Sequence, residues 1–276
     1  EIHKPTHMLA AFYLPSPTFR SQLYTAYQGK RPEMEGNLTT QIPMVKEMLD
    51  ALGIQRFEVA GFEADDVIGT LAKQGVSGQQ LGASGEVVIV TGDRDMLQLV
   101  NGHVSVLVPV KGLKETKLYH RDAVISEFGV TPEQWVDVKA LKGDPSDNYS
   151  GVAGIGPKTA QDLILKFGTL ENLYGKLGEL GKLGGKEKKI AQRLAAGAEE
   201  AGMAKKLAQI ITDVPTVHLD LEKAKVDQVD WGNGVDYMKS KFGFRTIVGR
   251  IENTYLNQNS KGKNDGEKES EQMELI

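Results

Sequence analysis

The sequence contains no cysteine. Disulfides, thiolate metal sites and a cysteine nucleophile are therefore excluded. The absence suits a reducing compartment, and a cytoplasmic protein is expected. No apolar run approaches the roughly 18 residues of a membrane span. No signal peptide opens the chain, which starts at Glu1 rather than methionine, so its natural start is expected upstream. Tryptophan is scarce, and Trp135 and Trp231 read as packing residues. None of the histidines has metal-ligand spacing with another, and no Gly-x-Ser-x-Gly elbow supports a serine hydrolase. The glycine-rich stretch Gly175–Gly185 fails as a nucleotide P-loop, because no strand precedes it and Lys186 is followed by Glu187. Its Gly-x-Leu triplets read as a flexible connection.

What remains is an ordinary soluble composition, 40% hydrophobic and 25% charged over 276 residues. That length suits one large or two small domains. The net charge of −4 opposes a nucleic-acid partner only on average. Between Gly151 and Leu256 basic residues outnumber acidic ones, and the negative excess includes clustered acids that a bound metal would neutralise.

Strand candidates at Thr6–Phe12, Gln55–Ala60, Glu86–Thr91 and Val104–Val108 are separated by helical patterns, with a hairpin or loop over Pro109–Tyr119. Glu86–Thr91, β-branched and without polar alternation, reads as a buried parallel strand. From Arg121 onward the periodicity is helical. Strands alternating with helices, then helices alone, predict a parallel α/β domain over residues 1–120 and a helical domain over 121–256. The polar segment 257–276 is expected to be a disordered tail.

The acids fall into three groups: Glu63, Asp65 and Asp66; Asp93 and Asp95; Asp144 and Asp147. The first group opens a helix, where the dipole stabilises acids, but three in four positions exceed what capping needs. The second follows the best strand, at the carboxyl end where ligands bind in open α/β sheets. Carboxylates gathered around one cleft repel unless cations intervene, and two magnesium ions would relieve that repulsion. Directly after Asp147 comes Gly151-Val-Ala-Gly154-Ile155-Gly156-Pro-Lys158-Thr159, opening into a helix. Such a turn presents unpaired N–H groups and a positive dipole end, which suits a phosphate. It could equally be a tight connection, since Asp-Pro-Ser-Asp-Asn is good turn material. In Thr18–Met34, Arg20, Lys30 and Arg31 are interleaved with Tyr24 and Tyr27, so phosphate neutralisation and base stacking stand beside a plain solvated helix.

The blocks EADDVIGTLA, VVIVTGDRDMLQLV and KALKGDPSDNYSGVAGIGPKTA resemble the signature blocks of the 5′→3′ exonuclease and flap endonuclease family. That family includes the N-terminal domain of bacterial DNA polymerase I. The resemblance implies a PIN-like α/β fold followed by a helix-hairpin-helix region. It implies metal ligation by Glu63, Asp65, Asp66, Asp93, Asp95, Asp144 and Asp147, with two Mg²⁺ or Mn²⁺ ions. It also implies that the Gly151–Lys158 hairpin, including Gly154, Ile155 and Gly156 and followed by Thr159, grips duplex DNA, in this family commonly with K⁺. Tyr24, Tyr27, Arg20, Lys30 and Arg31 would lie in the arch that admits a single-stranded 5′ end, the three basic residues clamping the scissile phosphate. Three departures stand out. The family's first strand, with its aspartate, precedes this chain. Tyr13 occupies the place of a second aspartate, and Gln28 that of an arch lysine.

The reading is therefore a monomeric, structure-selective 5′ nuclease acting on flapped, nicked or gapped DNA in replication and repair. A catalytically weakened branched-DNA-binding protein and a PIN-like ribonuclease are the alternatives. The final residues Gln272-Met273-Glu274-Leu275-Ile276 are similar to the Gln-Leu-x-Leu-Phe peptides that dock on bacterial sliding clamps. Gln272, Met273, Leu275 and Ile276 would make that contact, from a tether (Asn257–Glu271) spanning roughly 20 Å root-mean-square. A plain solubilising tail is the alternative.

Overall fold

The computed structural model describes residues 4–77, 85–112 and 115–256. They separate into two compact units: Glu1–Ala10 with Glu33–Phe57 and Asp220–Ile276, and Ala11–Pro32 with Glu58–Leu219. The candidate clamp-binding residues lie outside the described residues.

The second unit is organised by a three-stranded sheet. Val87–Val90 runs parallel to Val104–Lys111 in the register Val87↔Val104 to Val90↔Leu107. Val104–Lys111 then pairs antiparallel with Glu115–Tyr119, Val106 opposite Tyr119, with a register shift between Pro109 and Lys111. The parallel strand is thus present, but it is not buried on both sides. Ile89 is 4% exposed and its neighbour Val90 is 65% exposed. Among the described residues this strand lies at the sheet's edge, so its alternate side chains meet different surroundings. Ile89, Val104, Val106, Val108 and Tyr119 form a core with Met96, Leu97, Val124 and Ile210.

Helix Ala64–Ser77 buries Val67, Leu71 and Ala72. Gly69 lets this helix approach its neighbour, because a Cβ there would lie 2.8 Å from the Ile210 side chain. Helices Trp135–Lys142, Pro157–Phe167 and Gly185–Ala196 share a second core built on Leu141, Ile155, Ile164, Leu173 and Leu194. Gly175–Gly185 is not merely a flexible connection: Leu177–Lys182 forms a helix. Leu180, 3% exposed, belongs to the same core, and its burial stabilises the helix despite the glycines within and around it. Thr18–Met34 holds only the short helix Phe19–Leu23, capped by Thr18 and followed by turns.

In the first unit, helix Gly36–Ala51 ends beside Leu52 and Ile54, which are buried with Val229. Helix Trp231–Phe242 contributes Val235 and Met238, which pack with Val248. Trp231 stacks on Tyr255 at 3.9 Å, a packing arrangement. No helix among the described residues is long and apolar enough to cross a membrane.

Candidate functional site

Three carboxylates meet in the second unit. One oxygen from each of Asp95, Asp144 and Asp147 lies within 4.8 Å of the others. Asp95 reaches this point because the chain turns sharply after the Val87–Val90 strand. The Asp93 side chain accepts a hydrogen bond from the Asp95 amide (2.8 Å), starting the 3-10 helix Arg94–Leu99. Asp144 and Asp147 are carried by a two-residue ribbon, Gly143–Asp144 against Tyr149–Ser150. The ribbon closes only because its flanks are glycine. A Cβ on Gly151 would lie 2.3 Å from the Leu141 carbonyl oxygen, and Gly143 sits at φ +72°.

A second contact steadies that turn. The Gln28 amide donates to the Asp147 carbonyl (2.8 Å), and Asn148 Nδ2 donates to the Ala26 carbonyl (2.7 Å). Arg31, half-exposed, pairs with Asp147 Oδ1 at 2.7 Å. The triad lies in a cleft of about 610 Å³, lined also by Arg31, Asp93, Arg94, Lys139, Lys142 and Trp135.

The electrostatics follow from this crowding. Burial, with Asp93, Glu63, Asp66 and Asp95 nearby, pushes the Asp65 carboxyl up to about 7. Burial also raises Asp95, against the pull of Lys139. Asp144 goes the other way. Burial opposes its charge, but hydrogen bonds from Lys139 and Ser146 hold it at about 2. Lys139 is 5% exposed. Its ammonium pairs with both oxygens of Asp95 and with Asp144 Oδ2 at 2.5 Å.

The remaining sequence candidates divide. Glu63 is buried beside the site and accepts from Tyr13 (3.2 Å) and Tyr27 (3.4 Å), with Arg20 Nη1 3.4 Å away. Asp66 is fully buried, and each of its oxygens takes two donors: Arg20 Nη2 and the Ile211 amide on one, Arg20 Nη1 and the Glu63 amide on the other. It is not placed to ligate an ion. Arg20 is 2% exposed, and it also donates to the carbonyls of Leu207 and Gln209 at 2.8 and 2.6 Å. The structure therefore places Arg20 inside the protein rather than against a phosphate, since every donor it turns inward is taken.

Tyr27 is buried as well, stacked on Tyr149 with ring centroids 6.4 Å apart, and Tyr24 packs against the same cluster. The Tyr27 ring is not open for base stacking in this arrangement, whereas Tyr24 is only partly buried. Lys30 is exposed. In the glycine hairpin, Ile155 is a core residue, while Gly154, Gly156 and Lys158 are exposed and Thr159 half-buried. Gly154 stands at φ +77° and its carbonyl accepts from Arg193 at 3.0 Å.

Besides Arg94 and Ser146, three relevant residues are not singled out by the sequence. Lys139 and Lys142 both sit in the KALKGD block, and nothing in the pattern says which one turns inward. Tyr149 had only its position beside Asp147 as a signal. Its hydroxyl is buried without a hydrogen-bond partner, and that burial first, then the charges of Asp95, Asp144 and Asp147, oppose its ionisation. A buried, unpartnered hydroxyl beside three carboxylates fits a hydrated hard cation: the donors are all oxygen, and an ion's water could satisfy the phenol.

Comparison with known proteins gives this geometry a family. The model of the 5′-3′ exonuclease N-terminal resolvase-like domain matches residues 1–129, and that of the 5′-3′ exonuclease C-terminal SAM fold matches residues 130–231. DNA polymerase I of Lactococcus lactis subsp. lactis is 40% identical over 230 residues, 82% of this chain and 25% of the polymerase. That of Bacillus caldotenax is 39% identical over 249 residues, 90% of this chain and 27% of the polymerase. The chain thus spans about a quarter of these relatives' length. Among solved structures, T5 5′-exonuclease with bound zinc shares the fold at TM-score 0.58 and 23% identity, covering 90% of this chain and 82% of that one. The catalytic core of Rad2 in complex with DNA substrate does so at 0.53 and 17%, covering 90% and 78%. Matched along both halves of its described fold, the chain belongs to the 5′-3′ exonuclease family.

Proposed function

We propose that the chain is a metal-dependent 5′→3′ exonuclease and flap endonuclease that hydrolyses DNA phosphodiesters at single-strand/duplex junctions in replication and repair. The observation that carries this reading is the convergence of Asp95, Asp144 and Asp147 in a cleft that also holds Arg31, Arg94 and Lys142. Carboxylates alone would repel a phosphodiester, and cations on the cleft wall alone would bind it without cutting it. Asp95, Asp144 and Asp147 would hold one divalent ion, Mg²⁺ or Mn²⁺, and Asp65 with Asp93 would flank a second. Such ions, when bound, would stabilise charge on the phosphate oxygens and lower the pKa of attacking water.

The protein's own residues do the rest. Arg31 orients Asp147 and presents an exposed guanidinium to a phosphate. Ser146, through its amide (2.8 Å) and hydroxyl (2.5 Å), keeps Asp144 ionised and oriented. Arg20 holds Asp66 and lies against Glu63, so it is a positioning residue rather than one that touches substrate. The hairpin from Gly151 to Lys158 would grip the duplex backbone, with K⁺ as a partner ion, and Lys158 supplies an exposed charge there. In the same reading the protein is a cytoplasmic monomer with an α/β nuclease domain over 1–120 and a helical domain over 121–256, the latter supplying Asp144 and Asp147 as well as the hairpin. Gln272, Met273, Leu275 and Ile276 would tether it to a sliding clamp.

A 5′-flap DNA with Mg²⁺ or Mn²⁺, assayed beside the same sequence as RNA, tests the proposal. Cleavage of the DNA alone, near the junction, is expected. The second reading, a weakened binder of branched DNA, is favoured by Tyr13, whose hydroxyl rests on Glu63 where the family carries a carboxylate. Tight flap binding without cleavage in either metal would establish it instead.

A further inference from the structure

The proposed metal centre contains a positive charge of its own. Lys139 lies in the helix Trp135–Lys142, with its side chain 6% exposed. Its ammonium contacts both oxygens of Asp95 and sits 2.5 Å from Asp144 Oδ2, so it touches two of the three carboxylates of the triad. A buried ammonium is costly unless it is paired, and two buried carboxylates held together are costly without a cation. Each side of this arrangement solves the other's problem. A divalent ion on the same triad would draw on the two carboxylates that Lys139 now contacts, and it would face a like charge at close range.

We propose that Lys139 is an internal counter-cation of the metal centre: it holds Asp95 and Asp144 in register while no ion is bound, and it competes with the divalent ion for them. Lys139 thereby trades metal affinity for a preformed site. The neighbouring Lys142 is half-buried and lines the same cleft without a carboxylate contact of this kind, so it serves as the control. The inference rests on reading the triad as a metal site.

The test uses the full chain, stripped with EDTA and titrated with Mn²⁺, followed by calorimetry and by electron paramagnetic resonance of free Mn²⁺. Lys139→Met keeps the aliphatic stem and removes the charge. It is expected to melt at a lower temperature than wild type in EDTA, to bind Mn²⁺ at least about tenfold more tightly, and to gain more in melting temperature from Mn²⁺. Lys139→Arg, which keeps the charge, should bind Mn²⁺ no more tightly than wild type, and Lys142→Met should change the affinity less than threefold (an estimate for a charge outside the triad). Unchanged or weaker Mn²⁺ binding by Lys139→Met would overturn the proposal. So would failure of that variant to fold even with Mn²⁺ present, since Lys139 would then be a general packing residue. If wild type itself binds no Mn²⁺, the metal-centre reading fails first, and the two failures are thereby told apart.

Discussion

Replacing Arg20 by methionine separates two roles that the same residue could play. In the structure its guanidinium makes two bonds to Asp66 (2.7 and 2.8 Å) and two to the carbonyls of Leu207 and Gln209. Arg20 is 2% exposed and Asp66 0%. Methionine fills much of the stem's volume but leaves Asp66 as a buried carboxylate with only the amides of Glu63 and Ile211 as donors. Breaking one side of a buried pair costs about 3–5 kcal/mol. The two orphaned carbonyls add to this, at about 1–3 kcal/mol each if they stay dry. Relaxation and water entry recover part of the sum, so we expect about 4 kcal/mol. At about 2–4 °C per kcal/mol for a domain of this size, melting should fall by about 8–16 °C. Urea unfolding followed by circular dichroism measures the loss directly. Adding Asp66→Leu should restore part of it, because an apolar pair removes the stranded charge. A loss below about 1 kcal/mol, accompanied by a large drop in DNA binding, would return Arg20 to the phosphate clamp.

Asp147→Asn should reduce cleavage of a 5′-flap DNA by at least about a hundredfold while leaving junction binding within a few-fold, because the charge removed serves a metal rather than a phosphate; rate and gel-shift measurements on one preparation decide this. Lys158→Ala should weaken duplex binding and lower the slope of log K against log salt by about 0.9, the signature of one lost phosphate contact. Stability without metal should depend on pH in an unusual sense. Glu63, Asp65 and Asp95 all have raised pKa values in the folded state, chiefly through burial, and Asp65 stands at about 7. These three groups bind more protons folded than unfolded, and above the range where the lowered carboxylates Asp50, Glu127, Glu133, Glu171 and Asp220 titrate, between about pH 5 and 7, stability should rise as pH falls. Asp144, held at about 2, withdraws its own stabilising contribution only below the ordinary carboxylate range. Melting curves in EDTA from pH 8 to 5 should show the rise, and Asp65→Asn should flatten it.

The sequence was most legible where one residue type performs one task. Val87–Val90 is legible through its β-branched side chains, and the helix after Gly156 through the glycine turn that opens into it. The aspartates of the triad were visible because clustered acids need a reason to be together. The direction in which a long side chain turns was not visible. Arg20 and Arg31 look alike in sequence, yet one is sealed against Asp66 and the other stands half-exposed over Asp147. That difference is decided by contacts nearly two hundred residues away, at Leu207 and Gln209, which no local pattern encodes. Leu177–Lys182 was misread for a related reason: its glycines suggested looseness, and only the packing of Leu180 supplies the order.

The clasp between the Ala26–Gln28 turn and the Asp147–Asn148 turn sets a rule for redesign. Gln28 holds Asp147 through its main-chain amide, and its backbone lies at φ +55°. The clasp is therefore held by the main chain, while the half-buried Gln28 side chain interacts with the Tyr27 hydroxyl. Lysine could be installed there to place a new charge near the cleft without loosening the carboxylate turn, and glycine or asparagine would tolerate the backbone most readily. Asn148 offers no such latitude, because its own amide group closes the other half of the clasp. A library at residue 28 confined to residues that tolerate its left-handed backbone, with residue 148 kept fixed, would explore how this cleft meets its ligand and leave the geometry of its acids intact.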